Sequence, residues 1–134
     1  MAGNTKEYFV VDASFVLSYL FPDEKSDVAD EFFRKLAKDE VHCFSTVLFP
    51  LEVLNTLKVG VLRKRINNDF ALSLAEQFFR YAIPTETVDL QKTFNLALQE
   101  NLTVYDASYV ALAREKQFPL LTSDAKLKKL AAKK

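Results

Sequence analysis

Short continuous apolar runs alternate along the chain with longer stretches in which apolar residues recur at helical spacing. Tyr8-Phe9-Val10-Val11, ending at Asp12, has the pattern of a strand covered on both faces. Val41 to Thr46 reads as a second strand, Glu86-Thr87-Val88 as a weak third and Pro119-Leu120-Leu121-Thr122 as a fourth. Between them, Ala13 to Leu20 predicts a short helix stopped by Pro22. Asp23 to Lys38 predicts another, with Ala29, Phe32, Phe33 and Leu36 at i, i+3, i+4 and i+7. A helix from about Leu48 to Arg63 follows, with Ser45 or Thr46 as its cap. Asn68 or Asp69 can cap the next, which runs to about Tyr81 with Phe70, Leu74 and Phe78 on one stripe. Leu90, Phe94, Ala97 and Leu98 mark a further helix, Tyr105 to Gln117 another, and a basic helix closes the chain from about Asp124.

Strands that alternate with helices pair in parallel through crossover helices, with helices on both faces. The expectation is an α/β fold: a three-layer α/β/α sandwich with a mainly parallel sheet of four or five strands. A length of 134 residues suits one hydrophobic core, hence a single domain over 1–134.

Composition narrows the chemistry. Eighteen basic and eighteen acidic residues cancel, so charge alone announces no polyanionic partner. With only Gly3 and Gly60, the chain has neither a Rossmann fingerprint nor a P-loop. The lone Cys43 excludes an intramolecular disulfide and reads as a small core residue. The lone His42 excludes a two-histidine metal site, and no serine stands in a nucleophile-elbow context. No apolar run approaches the ~20 residues needed to span a bilayer. Met1 to Glu7 lacks the apolar region of a signal peptide. A soluble, cytoplasmic protein without a membrane partner is expected.

Ligands of open α/β sheets bind beyond the carboxyl ends of the strands. Asp12 ends the first strand, and Asp124 comes two residues after the fourth. Glu52 lies in the first turns of the helix after the second strand, and Asp106 at the beginning of its own helix. Each Asp can equally be a helix cap, with Ser123 competing for the last helix. Glu52 is different, because Leu51, Val53 and Leu54 flank it and an unpaired carboxylate there is costly. Asn55 shares its helix face and suggests a polar pocket. Four clustered acids would raise one another's pKa values unless a hard cation such as Mg²⁺ relieved the repulsion. A bound Mg²⁺ can activate water and neutralise charge at a phosphate, which requires no histidine.

The segments carrying these acids resemble, in order, the signatures of PIN-domain nucleases. They are Val10-Val11-Asp12-Ala13-Ser14, Phe49-Pro50-Leu51-Glu52-Val53-Leu54-Asn55, Tyr105-Asp106-Ala107-Ser108-Tyr109 and Leu120-Leu121-Thr122-Ser123-Asp124. The length and the Tyr-Asp-Ala-x-Tyr segment resemble the VapC toxins of toxin–antitoxin pairs. The resemblance implies an Mg²⁺- or Mn²⁺-dependent endoribonuclease with Asp12, Glu52, Asp106 and Asp124 at the metal. Thr122 and Ser14 would support them by hydrogen bonds. It further implies a homodimer, a protein antitoxin that covers the site, and targets such as transfer or ribosomal RNA. Family members often carry a fifth strand after the last helix, whereas this chain ends in Lys128-Lys129-Leu130-Ala131-Ala132-Lys133-Lys134.

Arg63-Lys64-Arg65 reads as helix-end charge or as a phosphate contact, and the basic tail as a solvated end or an RNA track. Tyr105 and Tyr109 read as packing residues, and Phe32 and Phe33 as core or dimer contacts. Among competing functions, a receiver-like signalling module would need an acid pair after the first strand and an acceptor Asp where Ser45-Thr46 stand. A catalytically silent PIN-like scaffold would not need all four acids. A structure-specific DNA nuclease would need more acids and added DNA-binding elements.

Overall fold

The computed structural model describes residues 6–133. Met1 to Thr5 and Lys134, including the last lysine of the basic tail, lie outside the described residues. Four strands form one parallel sheet: β1 (Glu7–Val11), β2 (Val41–Thr46), β3 (Thr85–Glu86) and β4 (Leu120–Leu121), in the order β3-β2-β1-β4. Among the described residues there is no fifth strand. The helices are α1 (Ala13–Leu20), α2 (Asp27–Ala37), α3 (Phe49–Leu62), α4 (Asn68–Arg80), α5 (Leu90–Glu100), α6 (Val104–Lys116) and α7 (Ala125–Ala132).

The continuous apolar β1 is central, because both faces of its strand are covered. Phe9 meets Phe32 of α2 edge-on, whereas its neighbour Tyr8 stacks on Phe118, just after α6. The alternation of side chains across the strand therefore sends successive residues to opposite helical layers. Val10, Val11, Phe33, Phe49, Val53, Val110 and Leu112 are almost wholly excluded from solvent. Cys43 is buried as read, and burial pushes its thiol up to about 12. Phe32 and Phe33 are core residues. No helix among the described residues is long and apolar enough to cross a membrane.

Several boundaries differ from the expectation, each for a capping reason. The stretch after Pro22 makes a 3-10 turn (Pro22–Glu24), and α2 starts only after Ser26, whose side chain accepts the Ala29 N–H. Ser45 and Thr46 do not cap α3. They are buried in β2, and Pro50 in the first turn, lacking an N–H, eases the helix start instead. Asn67, rather than Asn68 or Asp69, caps α4 through the Phe70 N–H. On α4, Leu74 and Phe78 are buried while Phe70 is partly exposed.

On α5 the buried positions are Thr93, Leu96 and Ala97, so Leu90, Phe94 and Leu98 face outward. That face sits one residue, about 100°, away from the expected stripe. Arg65 is neither a simple helix-end charge nor a free phosphate contact. It binds Asp23 at 2.5 and 3.0 Å and Glu24 at 2.8 Å, and lies over the Phe21 ring at 3.8 Å.

Candidate active site

Parallel pairing places the carboxyl ends of β1, β2 and β4 on one edge, and the helices that follow them start there. Asp12 is the first residue beyond β1, and its N–H is tied to the Leu121 carbonyl of β4 at 3.1 Å. It caps α1: Oδ1 accepts the Phe15 N–H at 3.0 Å and the Ser14 hydroxyl at 2.7 Å. It is also 4% exposed, far drier than a surface cap. Burial raises its pKa, hydrogen bonds from Thr122, Ser14 and the Phe15 amide oppose that, and the Asp106 charge adds to the rise. Capping and a place in the cleft are thus both true of Asp12.

Glu52 lies in the first turn of α3 and is half-buried. Its Oε1 accepts the Tyr109 phenol at 2.5 Å. Burial raises its pKa; the phenol opposes this, and the charges of Asp106 and Asp12 reinforce it. Asp106 is not a cap, because Thr103 fills that role by accepting the Asp106 N–H at 3.0 Å. Among the described residues no hydrogen bond or ion pair engages its carboxyl. Its pKa is raised by burial and by the charge of Asp124.

Asp12, Ser14, Glu52, Asn55, Thr56, Asp106 and Tyr109 line a cleft of about 280 Å³. A hollow of about 680 Å³ by the α3–α4 connection is roomier, yet it gathers one acid, Asp69, beside Lys64 and Arg65. Asp124 stands apart from the cleft lining. It caps α7, with Oδ1 accepting the N–H groups of Lys126 and Leu127 at 2.9 and 3.1 Å. Thr122 holds it, accepting the Asp124 N–H at 3.1 Å. Ser14 joins the two parts: its hydroxyl bonds Asp12, accepts the Ser123 N–H at 3.0 Å and lies 3.4 Å from the Thr122 hydroxyl. Ser123, the rival cap, is engaged in this link instead.

Among the described residues, no three acidic, histidine or cysteine side chains close around a single point. Asp12, Asp124 and Glu52 each commit one oxygen to an amide or hydroxyl donor. The donor set nevertheless suits a hard divalent cation. It is all oxygen and amide, and among the described residues no lysine, arginine or histidine lines the cleft to offset three carboxylates.

Residues 9–133 match the PIN domain family. The chain belongs to the PIN-domain family. This PIN domain is 32% identical over 122 residues to Ribonuclease VapC3 of Pyrobaculum aerophilum, an alignment covering 88% of this chain and 90% of that one. Among solved structures, PAE2754 from Pyrobaculum aerophilum superposes with a TM-score of 0.73 at 20% identity, over 97% of this chain and 83% of that one. VapC20 of Mycobacterium tuberculosis, described as a Sarcin-Ricin loop cleaving toxin, gives 0.58 at 16% identity, over 90% and 93%. The two structures support the PIN fold.

Sequence reasoning passed over Tyr109 as a packing residue. It is packed, at 2% exposure, but its phenol reaches a carboxylate. The signal was its spacing: three residues after Asp106 on one helix, the two share a face. Tyr105, by contrast, is exposed.

Proposed function

We propose that this PIN-domain protein is a divalent-metal-dependent endoribonuclease, the toxin of a VapBC-type pair, working as one nuclease domain over 1–134. The observation that carries the reading is the cleft itself. Three carboxylates with raised pKa values, one of them almost fully buried, share one edge of the sheet, and among the described residues no basic side chain lines the cleft to balance them. At neutral pH such a cluster is costly, and a bound cation would offset the cost. The family match and the likeness to a VapC ribonuclease supply the reaction class.

In this reading Asp12, Glu52, Asp106 and Asp124 hold Mg²⁺ or Mn²⁺. Bound there, the ion supplies charge neutralisation at the scissile phosphate and an acidified water. The protein's own groups do the rest. Ser14 and Thr122 fix Asp12 and the start of α7 by hydrogen bonds. Asn55, exposed beside Glu52, offers an amide donor to a phosphate oxygen without adding negative charge. The substrate class we assign is structured RNA, transfer or ribosomal, and the partners are a protein antitoxin and a second copy of the chain, in the cytoplasm.

The test is cleavage of pooled transfer and ribosomal RNA by wild type and Asp12→Asn, each in Mg²⁺, Mn²⁺ and EDTA. Discrete fragments from wild type alone, lost with EDTA, are expected. Equal cleavage by the variant would remove the site assignment. Silence of folded wild type in every lane would favour a scaffold.

A further inference from the structure

Tyr109 is buried to 2% exposure in α6, where a phenylalanine would fill almost the same volume with no polar atom to satisfy. The extra oxygen is aimed: it donates to Glu52 Oε1 at 2.5 Å, from α6 to α3. Both residues line the acid cleft. Among the described residues no other hydrogen bond holds the Glu52 carboxylate. A glutamate has several freely rotating bonds, and a half-exposed one at a helix start samples many rotamers. A buried, rigid phenol selects one of them. It takes Oε1, and among the described residues no hydrogen bond engages Oε2.

We propose that Tyr109 is a positioning residue for the acid cleft, its phenol fixing Glu52 in the orientation that receives a divalent cation. The proposal rests on the metal-dependent reading of the cleft given above. It makes α6 a double contributor. Asp106 supplies one carboxylate, and Tyr109, on the same face, holds a second that belongs to α3. The rigid helix thereby sets the spacing between the two acids. In this role Tyr109 is not itself a ligand and works through Glu52.

The experiment is an Mn²⁺ titration by calorimetry, without RNA, on wild type, Tyr109→Phe, Glu52→Gln and the double variant. Loss of an outer-shell partner weakens metal affinity by roughly 10–100-fold. Tyr109→Phe is expected to show that loss with an unchanged melting temperature. The double variant should bind no more weakly than Glu52→Gln alone, because the phenol then has no carboxylate to position. Wild-type affinity in Tyr109→Phe, or a further loss in the double variant, overturns the positioning role and leaves the metal site standing. Absence of Mn²⁺ binding by wild type overturns the metal reading and this proposal with it. Should Tyr109→Phe fail to fold, wild type decides by NMR. The Tyr109 Cζ resonance is expected to shift on Mg²⁺ titration, and a resonance unmoved at saturation overturns the proposal.

Discussion

Asp12 and Thr46 are both buried polar residues at one sheet edge, with opposite satisfaction. Asp12 receives hydrogen bonds and sits in the acid cleft. Asp12→Asn keeps an acceptor for the Phe15 N–H, since asparagine caps as well as aspartate, while removing a charge that burial and Asp106 disfavour. It should reduce RNA cleavage to background and leave the urea midpoint unchanged or higher. A marked drop in that midpoint would mean the charge is structurally needed. Thr46 is 2% exposed, and its hydroxyl finds no partner among the described residues. An unsatisfied buried group costs roughly 1–3 kcal/mol, so the isosteric Thr46→Val should gain stability of that order, read by urea denaturation. A loss instead would show that an ordered water satisfies the hydroxyl. Residue identity told only part of this. The acids were legible because Glu52 in an apolar segment is costly, but Tyr109 and Thr46 look like ordinary core and strand residues until their neighbours are known.

Apart from α3, the α-helices start where a side chain accepts an orphan N–H, and several of these caps sit one or more residues from where the sequence pattern points. Asn67 instead of Asn68, and Thr103 in front of Asp106, are differences that periodicity cannot resolve, because a cap is defined by a backbone angle. The exposed Leu90, Phe94 and Leu98 on α5 mislead for another reason: the helix buries Thr93 in its inner stripe, so hydrophobicity alone points the wrong way. At the element scale Asp124 caps α7, and in the proposed site it would serve the metal as well. Asp124→Asn should keep the α7 cap and the melting temperature while lowering cleavage. Asp124→Ala should lower both, the stability by about 1 kcal/mol. Equal stability of the two variants would show that the cap contributes nothing. Gly60 lies inside α3, where a Cβ would meet Ile66 and Phe21 at 3.4–3.5 Å, ordinary contact. Gly60→Ala should therefore stabilise the chain by up to ~1 kcal/mol, the helix-propensity gain. A loss in thermal melting would mean that Ile66 and Phe21 cannot give way.

At the scale of the molecule, the order of strands and helices was readable because each strand is a short apolar run and each crossover carries a helical stripe. The convergence of Asp12, Glu52 and Asp106 was readable only as a possibility of topology; parallel pairing made it a place. That convergence gives the fold a pH signature. Burial first, then neighbouring acids, raises all three carboxyls above their ordinary values of 3.8 and 4.5. Between those values and the raised ones, the folded chain keeps protons that the unfolded chain has released, so stability falls as pH rises through that window. Asp23, Glu31 and Asp39 are shifted down by Arg65, Arg34 and Lys6, and they oppose the trend only below the ordinary values. Metal-free protein should therefore melt at a lower temperature as pH rises through that window. Mg²⁺, held there as proposed, should reverse the trend, because it would bind the deprotonated acids and stabilise by ~2.7 kcal/mol at a hundredfold excess over its Kd. Asp106→Asn should raise the metal-free melting temperature near neutral pH and blunt the Mg²⁺ effect. Thermal melts over pH and Mg²⁺ concentration check this. An Mg²⁺ shift of the same size in wild type and Asp106→Asn would place the ion elsewhere, and a metal-free melting temperature that climbs as pH rises above the ordinary carboxyl values would show that the three carboxyls are not the strained groups of this fold.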